Sequence, residues 1–173
     1  MIRADAPFVL FDEIDSTNEE ARRRAGAGDY EPAWLLAKAQ TAGRGRRGRS
    51  WTTLPGNLLL TYYGVTARAP ADIALLGFAA GVALVETCAP FVAAGAARLK
   101  WPNDLLLNGA KAAGILLESA QIAPGQEGGF WFALGVGLNI AGAPDDAGQP
   151  TAALAGALRP GAERPTPIAL AQI

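Results

Sequence analysis

The sequence predicts an α+β domain in which helices pack on one side of a mixed, largely antiparallel sheet. Three observations lead to this class. Strand-like and helical segments alternate irregularly, so the chain lacks the regular strand–helix repeat of a parallel fold. One pair of segments is joined by Asn-Gly, the favoured two-residue hairpin turn. Half of the 173 residues are hydrophobic, which is enough for the core of a single domain over residues 1–173.

The strand predictions follow the apolar and aromatic segments between turn-forming residues. The predicted strands are Phe8–Phe11, Trp34–Ala39, Asn57–Tyr63, Ala97–Trp101, Leu105–Leu107, Ala110–Glu118 and Phe130–Leu138. The turn Asn108-Gly109 joins the fifth of these to the sixth.

The first helix is expected to begin near Ser16, because Glu19 follows three residues later as in a capping box. It should end near Ala25, where glycines follow. Ala71–Ala89 predicts a long helix that is apolar almost all round and therefore buried. A loop and two short helices should follow the last strand, at Ala141–Pro150, Thr151–Leu158 and Thr166–Ile173.

Four arginines interleaved with glycine lie between Gly43 and Trp51, in the segment Gly-Arg-Gly-Arg-Arg-Gly-Arg-Ser-Trp. Glycine lets the backbone bend closely around a ligand, and guanidinium groups bind phosphate or carboxylate through paired hydrogen bonds. The whole chain has a net charge of −1, so the remainder outside these arginines is acidic. This pattern favours a small anion over DNA, which usually needs a wide basic face. A loop that only aids solubility and a nucleic-acid-binding loop are the alternatives.

Histidine is absent, which excludes a His-ligated metal, a Ser-His-Asp triad and a Cys-His dyad. We therefore predict no protein metal site. Cys88 is the only cysteine and is expected in the core. Met1–Pro7 does not resemble a signal peptide, and the apolar stretch Ile73–Val85 is too short to span a bilayer. These features predict a cytoplasmic protein with no membrane partner.

Three further segments place polar residues or glycine at strand ends. Lys100-Trp-Pro-Asn-Asp104 forms a corner that proline restrains. Lys111 follows the Asn-Gly turn and is expected to point inward, because its alternation partners Ala113 and Ile115 are core-like. Gly135-Val-Gly137-Leu-Asn139 has two glycines in a strand, which predicts either close approach of a ligand or a β-bulge.

In combination and in this order, these segments resemble the biotin protein ligases. The resemblance runs from about Asp15 to Asn139 and is carried by five motifs. They are Ser16-Thr-Asn18, Gln40 with Gly43–Arg49 and Trp51, Lys100–Asp104, Lys111 with Gly114–Glu118, and Gly135–Asn139. It implies the fold shared by class II aminoacyl-tRNA synthetases and biotin ligases. It also implies ATP-dependent activation of biotin to biotinyl-5'-AMP, with Mg²⁺, and transfer to a lysine of a biotin carboxyl carrier protein.

The resemblance also implies residue roles. Residues expected at biotin are Ser16, Thr17, Gln40, Gly43, Arg44, Arg46, Lys111, Gly114 and Gly135. Residues expected at the nucleotide are Arg47, Arg49, Trp51, Asn103 and Asn139, the two asparagines near the nucleotide or its magnesium. Residues expected to take part in catalysis are Lys111, Arg44, Arg46 and Asp104. Lys111 would bridge the biotin carboxyl and the α-phosphate, and Asp104 would orient the carrier lysine.

The sequence departs from the family pattern at both ends. The Ser-Thr-Asn motif begins at residue 16, so we expect no winged-helix DNA-binding domain, and the chain ends at Ile173 without the small β-barrel domain. A homodimer paired edge to edge would be consistent with the family. Two alternatives remain: a non-catalytic biotin or adenylate binder, and a relative of the lipoate ligases.

Overall fold

The computed structural model describes residues 2–122, 128–145 and 148–172. Residues 146–147 of the predicted loop Ala141–Pro150, and Ile173 of the last predicted helix, lie outside the described residues. The described strands are β1 (Phe8–Ile14), β2 (Ala33–Gln40), β3 (Leu58–Thr66), β4 (Ala97–Lys100), β5 (Asp104–Leu107), β6 (Ala110–Gln121) and β7 (Phe130–Leu138). They form one sheet in the order β1-β2-β3-β7-β6-β5-β4. Only β1 and β2 pair in parallel. The predicted α+β class with a mixed, largely antiparallel sheet is confirmed.

The helices lie on both faces of the sheet, which corrects the expectation that they share one side. They are α1 (Thr17–Gly26), α2 (Pro70–Cys88) and α3 (Pro167–Ala171), with 3-10 turns at Arg46–Gly48 and Leu154–Ala157. Neighbouring residues of a strand point to opposite faces. Leu35 accordingly packs with Ala21 of α1, whereas Leu36 belongs to the cluster that contains Ile73 of α2 and Leu170 of α3. Helix α1 connects the two parallel strands β1 and β2.

Helix α2 was expected to be wholly buried and is buried on one side only. Its buried residues are Ile73, Gly81, Leu84 and Cys88, whereas Leu75, Phe78 and Val82 are exposed. Within the described residues, α2 is one helix whose 19 residues and mean hydropathy of 1.7 would suit a membrane span by length and composition. Helices that cover the core of a globular sheet meet the same two criteria, and α2 packs against β4, β5, β6 and β7.

Cys88 lies in the core as predicted, fully buried at the C-terminal end of α2. Burial raises the pKa of its thiol to about 11, because the thiolate would lose its hydration there. The side chain therefore behaves as a small hydrophobic group at neutral pH.

The predicted hairpin forms, with Asn108 and Gly109 both at positive φ (50° and 85°) as its two-residue turn requires. The register between β5 and β6 skips Ala112, which forms a β-bulge. Lys111 consequently lies beside Gly114, whose added Cβ would be 3.7 Å from Lys111 Cε. Simple alternation had grouped Lys111 with Ala113, and the bulge is the reason that this grouping is wrong.

Two local predictions fail because backbone groups or side chains find other partners. The helix expected over Thr151–Leu158 is reduced to the 3-10 turn Leu154–Ala157, since the Leu154 and Ala155 N–H groups donate to the carbonyls that follow β7. Ser16 does stand at the N-cap of α1, but its side chain makes no capping hydrogen bond. Glu19 turns away from the helix end toward Arg44, so the capping box does not form.

Candidate functional site

A cleft of about 570 Å³ opens on the α1 face of the sheet, between the start of α1, the segment 43–51 and strands β3, β6 and β7. This volume is in the range typical of small-molecule sites. Most of the residues predicted at a site line it. They are Ser16, Thr17, Gln40, Arg44, Arg46, Arg49, Trp51, Asn103, Lys111, Gly114, Gly135 and Asn139. The other three, Gly43, Arg47 and Asp104, lie next to lining residues.

The inner end of the cleft is a buried polar network at the start of α1. Gln40 Oε1 accepts from the Thr17 backbone N–H (2.8 Å) and lies 3.1 Å from its hydroxyl. The Thr61 hydroxyl, on β3, lies 2.7 Å from both Thr17 Oγ1 and Asn18 Oδ1, to which it donates. Ser16, Thr17, Asn18 and Thr61 are all nearly inaccessible to solvent. The network holds these polar groups in position.

Two of the strand glycines make room for protein side chains. A Cβ added at Gly135 would overlap Asn18 Oδ1 and lie 3.1 Å from Asn18 Cγ. A Cβ at Gly137 would lie 2.5 Å from Trp51 Cε2, and Gly114 also faces the indole. The prediction that Gly114 and Gly135 contact biotin through backbone atoms stays a prediction. The physical requirement for glycine at 135 and 137 is already explained by Asn18 and Trp51.

The arginine segment forms a small hairpin. Trp51 N–H donates to the Gly43 carbonyl (2.8 Å) and Gly45 N–H donates to the Arg49 carbonyl (2.7 Å). Arg47 lies at the tip with φ 57°, outside the cleft. Arg46 turns inward and donates to Asn103 Oδ1 (3.2 Å). Among the described residues Arg46 makes no ion pair, so its charge is available to an anionic ligand.

Lys111 points into the cleft and is paired. Its Nζ lies 2.8 Å from Asp104 Oδ1 and 5.8 Å from the centre of the Trp51 ring. Both side chains of the pair are about one-sixth exposed. The sequence predicted an inward lysine that would need an anion, and Asp104 supplies that anion. Trp51 Nε1 is buried and has no hydrogen-bond partner within the described residues.

The two asparagines predicted at the nucleotide, Asn103 and Asn139, hydrogen-bond to other protein groups. Asn103 Nδ2 donates to the Ile115 carbonyl (2.9 Å), and its Oδ1 accepts a hydrogen bond from Arg46. Asn139 Nδ2 donates to the Ala152 carbonyl (3.2 Å), and its Oδ1 accepts from Asn57 (3.3 Å). Both ends of each side chain are therefore occupied by protein groups, although both residues line the cleft.

Arg44 belongs to a closed ring of four charged side chains at the rim of the cleft. Its guanidinium pairs with Glu19 and lies 3.2 Å from Glu118 Oε1. Arg22 closes the ring, 2.8 Å from Glu118 and 3.7 Å from Glu19. We call these four residues the charge ring. Two acids balance two bases in it, so Arg44 contributes little unbalanced charge to the cleft.

Sequence reasoning missed several residues that shape the site. Asn18, Glu19 and Glu118 stood within or beside recognised motifs, but only tertiary contact shows their partners. Asn57 had no signal beyond its place before β3, yet its Oδ1 accepts from the backbone N–H groups of Ile140 and Ala141 (3.0 Å each). It thereby holds the segment that follows β7.

The cleft combines features suited to binding two anionic groups side by side. Arg46 has no carboxylate partner within the described part of the chain. Lys111 and Arg44 are held by carboxylates that a ligand anion could replace or supplement. Guanidinium and ammonium groups can stabilise charge that develops on phosphate without transferring a proton. Such an arrangement suits a carboxylate next to a phosphate.

Comparison with known proteins shows the family to which the chain belongs. The family model for the biotin/lipoate A/B protein ligase family matches residues 10–139. The biotin–[acetyl-CoA-carboxylase] ligase of Paracoccus denitrificans is 45% identical over 160 residues, covering 89% of this chain and 59% of that protein. The chain thus spans about three-fifths of the length of this relative.

Solved structures agree with the sequence match. Biotin protein ligase from Leishmania major in complex with biotin superposes with a TM-score of 0.76 at 26% identity, over 98% of this chain and 71% of that one. Biotin protein ligase from Aquifex aeolicus in complex with biotin and ATP gives a TM-score of 0.61 at 27% identity, over 87% and 60% of the two chains. The sequence motifs, the cleft that gathers them and these matches together establish that the chain belongs to the biotin/lipoate A/B protein ligase family.

Proposed function

We propose that this chain is the catalytic part of a biotin–protein ligase, which activates biotin with ATP and transfers it to a lysine of a carrier protein. The observation that carries the proposal is the convergence of Lys111, Arg44 and Arg46 on one cleft with the Thr17–Gln40 network at its inner end. Relatives and neighbours named as biotin ligases support biotin as the acid. The Aquifex aeolicus complex with biotin and ATP supports ATP as the second substrate.

In the first step the biotin carboxylate would attack the α-phosphate of ATP, forming the acyl–phosphate bond of biotinyl-5'-AMP and releasing pyrophosphate. Two anions must approach each other, so the demand on the protein is positioning and charge stabilisation. Lys111 is suited to this task, because it already lies beside a carboxylate at 2.8 Å and could exchange Asp104 for the reacting groups. Arg46 would hold the neighbouring anion.

In the second step the amine of the carrier lysine would attack the acyl carbon and AMP would leave. Asp104 lies beside Lys111 at the edge of the cleft, where it could orient the incoming amine. The proposal also includes three expectations that come from the sequence: a carrier protein as partner, a cytoplasmic location and a homodimer. The alternative is a protein that binds biotin or its adenylate and catalyses no reaction. The experiment below distinguishes this binder from a ligase.

Magnesium would have to enter with ATP. Within residues 2–122, 128–145 and 148–172 no group of three or more Asp, Glu, Cys or His side chains could hold a metal ion. Mg²⁺ commonly keeps waters and is held mainly by substrate phosphates with few protein ligands, so the cleft is compatible with Mg-ATP. The ion would offset phosphate charge, and the arginines and Lys111 would supply the remaining positive groups.

The test is calorimetric titration of the 173-residue chain, first with biotin and then with biotin and Mg-ATP, followed by mass analysis of the bound species. We expect biotin binding and biotinyl-5'-AMP retained on the protein. Pyrophosphate release and labelling of a carrier domain are measured separately. Biotin binding without adenylate would identify a binder and contradict the ligase proposal, and absence of biotin binding would contradict both.

A further inference from the structure

The charge ring ties three parts of the cleft together through Glu118. Glu118 lies on β6 and accepts from Asn18 Nδ2 at the start of α1 (2.9 Å) through Oε2. Its Oε1 pairs with Arg22 of α1 and with Arg44 of the arginine hairpin. One carboxylate therefore joins α1, the sheet and the hairpin, and it is only 18% exposed.

Arg44 needs such an anchor. Its neighbours Gly43 and Gly45 add no side-chain packing, and a free arginine side chain has a rotamer entropy near the top of the amino-acid scale. The charge ring holds the guanidinium from two sides, through Nη1 to Glu19 and Nη2 to Glu118. A guanidinium has five N–H donors, so donors remain for a ligand without breaking the ring.

We propose that Glu118 is a positioning residue for anion recognition: with Glu19 it fixes the guanidinium of Arg44 in the orientation that receives the carboxylate of the acid substrate. This inference rests on the proposed function, in which that acid is biotin. It assigns Glu118 and Glu19 no contact with the substrate. Their effect passes through Arg44, so it should depend on whether the ligand carries a carboxylate.

The ring is expected to contribute little to stability. Ion pairs with this degree of exposure contribute modestly, and Arg22 is half exposed. Replacement of Glu118 by glutamine keeps one oxygen that can accept from Asn18, but removes the charge and puts an NH2 group in place of the oxygen that accepts from Arg22 and Arg44. Glu19→Gln tests the same ring from the other side, and Glu19 makes no hydrogen bond to Asn18. A change in ligand selectivity can therefore be separated from a change in folding.

The experiment compares biotin with biotinol, in which an alcohol replaces the carboxylate, by calorimetric titration of the full chain. Immobilising a side chain such as arginine costs about 0.5–1.5 kcal/mol on binding. We therefore expect Glu118→Gln and Glu19→Gln to weaken biotin about three- to tenfold and to leave biotinol within about twofold. Glu20→Gln is the matched control, because Glu20 pairs with Arg23 and Arg24 on α1 and lies outside the ring.

The outcomes separate the two proposals. If the unmodified chain prefers biotin and both ring variants keep that preference, or weaken both ligands equally, Glu118 does not position Arg44 and the inference is wrong. If the unmodified chain binds neither ligand, the proposed function fails and the inference fails with it. Selective loss of biotin affinity in both ring variants, with Glu20→Gln unchanged, supports the inference.

Discussion

Replacing Gly135 with alanine should destabilise this protein far more than a glycine-to-alanine change normally does. The added methyl group would occupy the space of Asn18 Oδ1, and Asn18 cannot retreat because it is 3% exposed. Its amide makes three hydrogen bonds, to Thr61 Oγ1 (2.7 Å), the Leu116 carbonyl (3.3 Å) and Glu118 Oε2 (2.9 Å).

The expected loss follows from these three bonds. Each contributes about 1 kcal/mol net when its partners are buried, so displacing the amide costs about 3 kcal/mol of unfolding free energy. For a chain of this length that corresponds to a fall in Tm of about 6–12 °C. The measurement is urea or thermal unfolding followed by circular dichroism.

Two variants make this prediction specific. Gly77→Ala in α2 is the control, because nothing lies within 4 Å of its added Cβ, and it should stabilise the helix by about 0.5–1 kcal/mol. In an Asn18→Ala background the methyl at 135 no longer overlaps an amide, and its remaining tight contact is the Leu116 carbonyl oxygen at 3.3 Å. Adding Gly135→Ala should then lower stability by less than about 1 kcal/mol. A Gly135→Ala single variant within about 1 °C of the unmodified Tm would refute the reasoning.

Three further predictions concern the cleft and the core. Lys111→Ala should slow adenylate formation about 10²–10³-fold and reduce biotin affinity much less; a kcat within about twofold of the unmodified chain would contradict its role. Arg46→Ala should speed escape of biotinyl-5'-AMP into solution, measured by filtration over time, and unchanged retention would contradict an anion-holding role. Burial raises the pKa of the Cys88 thiol to about 11, so the thiol's contribution to the free energy of unfolding should be intact below pH 9. It should be lost between pH 9 and about 11, where the unfolded chain ionises first. The stability difference between the unmodified chain and Cys88→Ala should therefore shrink over that interval, and a constant difference would count against burial of the thiol.

The sequence by itself determined the fold class, the family and most of the cleft. The evidence was local: the glycine-spaced arginines, the Lys-Trp-Pro-Asn-Asp corner and the Asn-Gly hairpin. Such patterns can be recognised in a sequence because turn geometry and side-chain chemistry depend on residues that are neighbours along the chain. Twelve of the fifteen predicted site residues line one cleft for this reason. The buried Cys88 was likewise predictable from its apolar surroundings.

Only the tertiary structure decided which groups pair with which. The bulge at Ala112 moved Lys111 to the face of Gly114, and strand alternation cannot reveal a residue skipped in pairing. The placement of α1 opposite α2 depends on how the chain crosses the sheet. Glu118 meets Arg44 across 74 residues and Asn18 across 100, and a pattern read along the chain holds no information on such distant contacts. These contacts turn a set of charged residues into a cleft in which carboxylates hold Arg44 and Lys111, whereas Arg46 and Arg49 make no ion pair within the part of the chain that the structure describes.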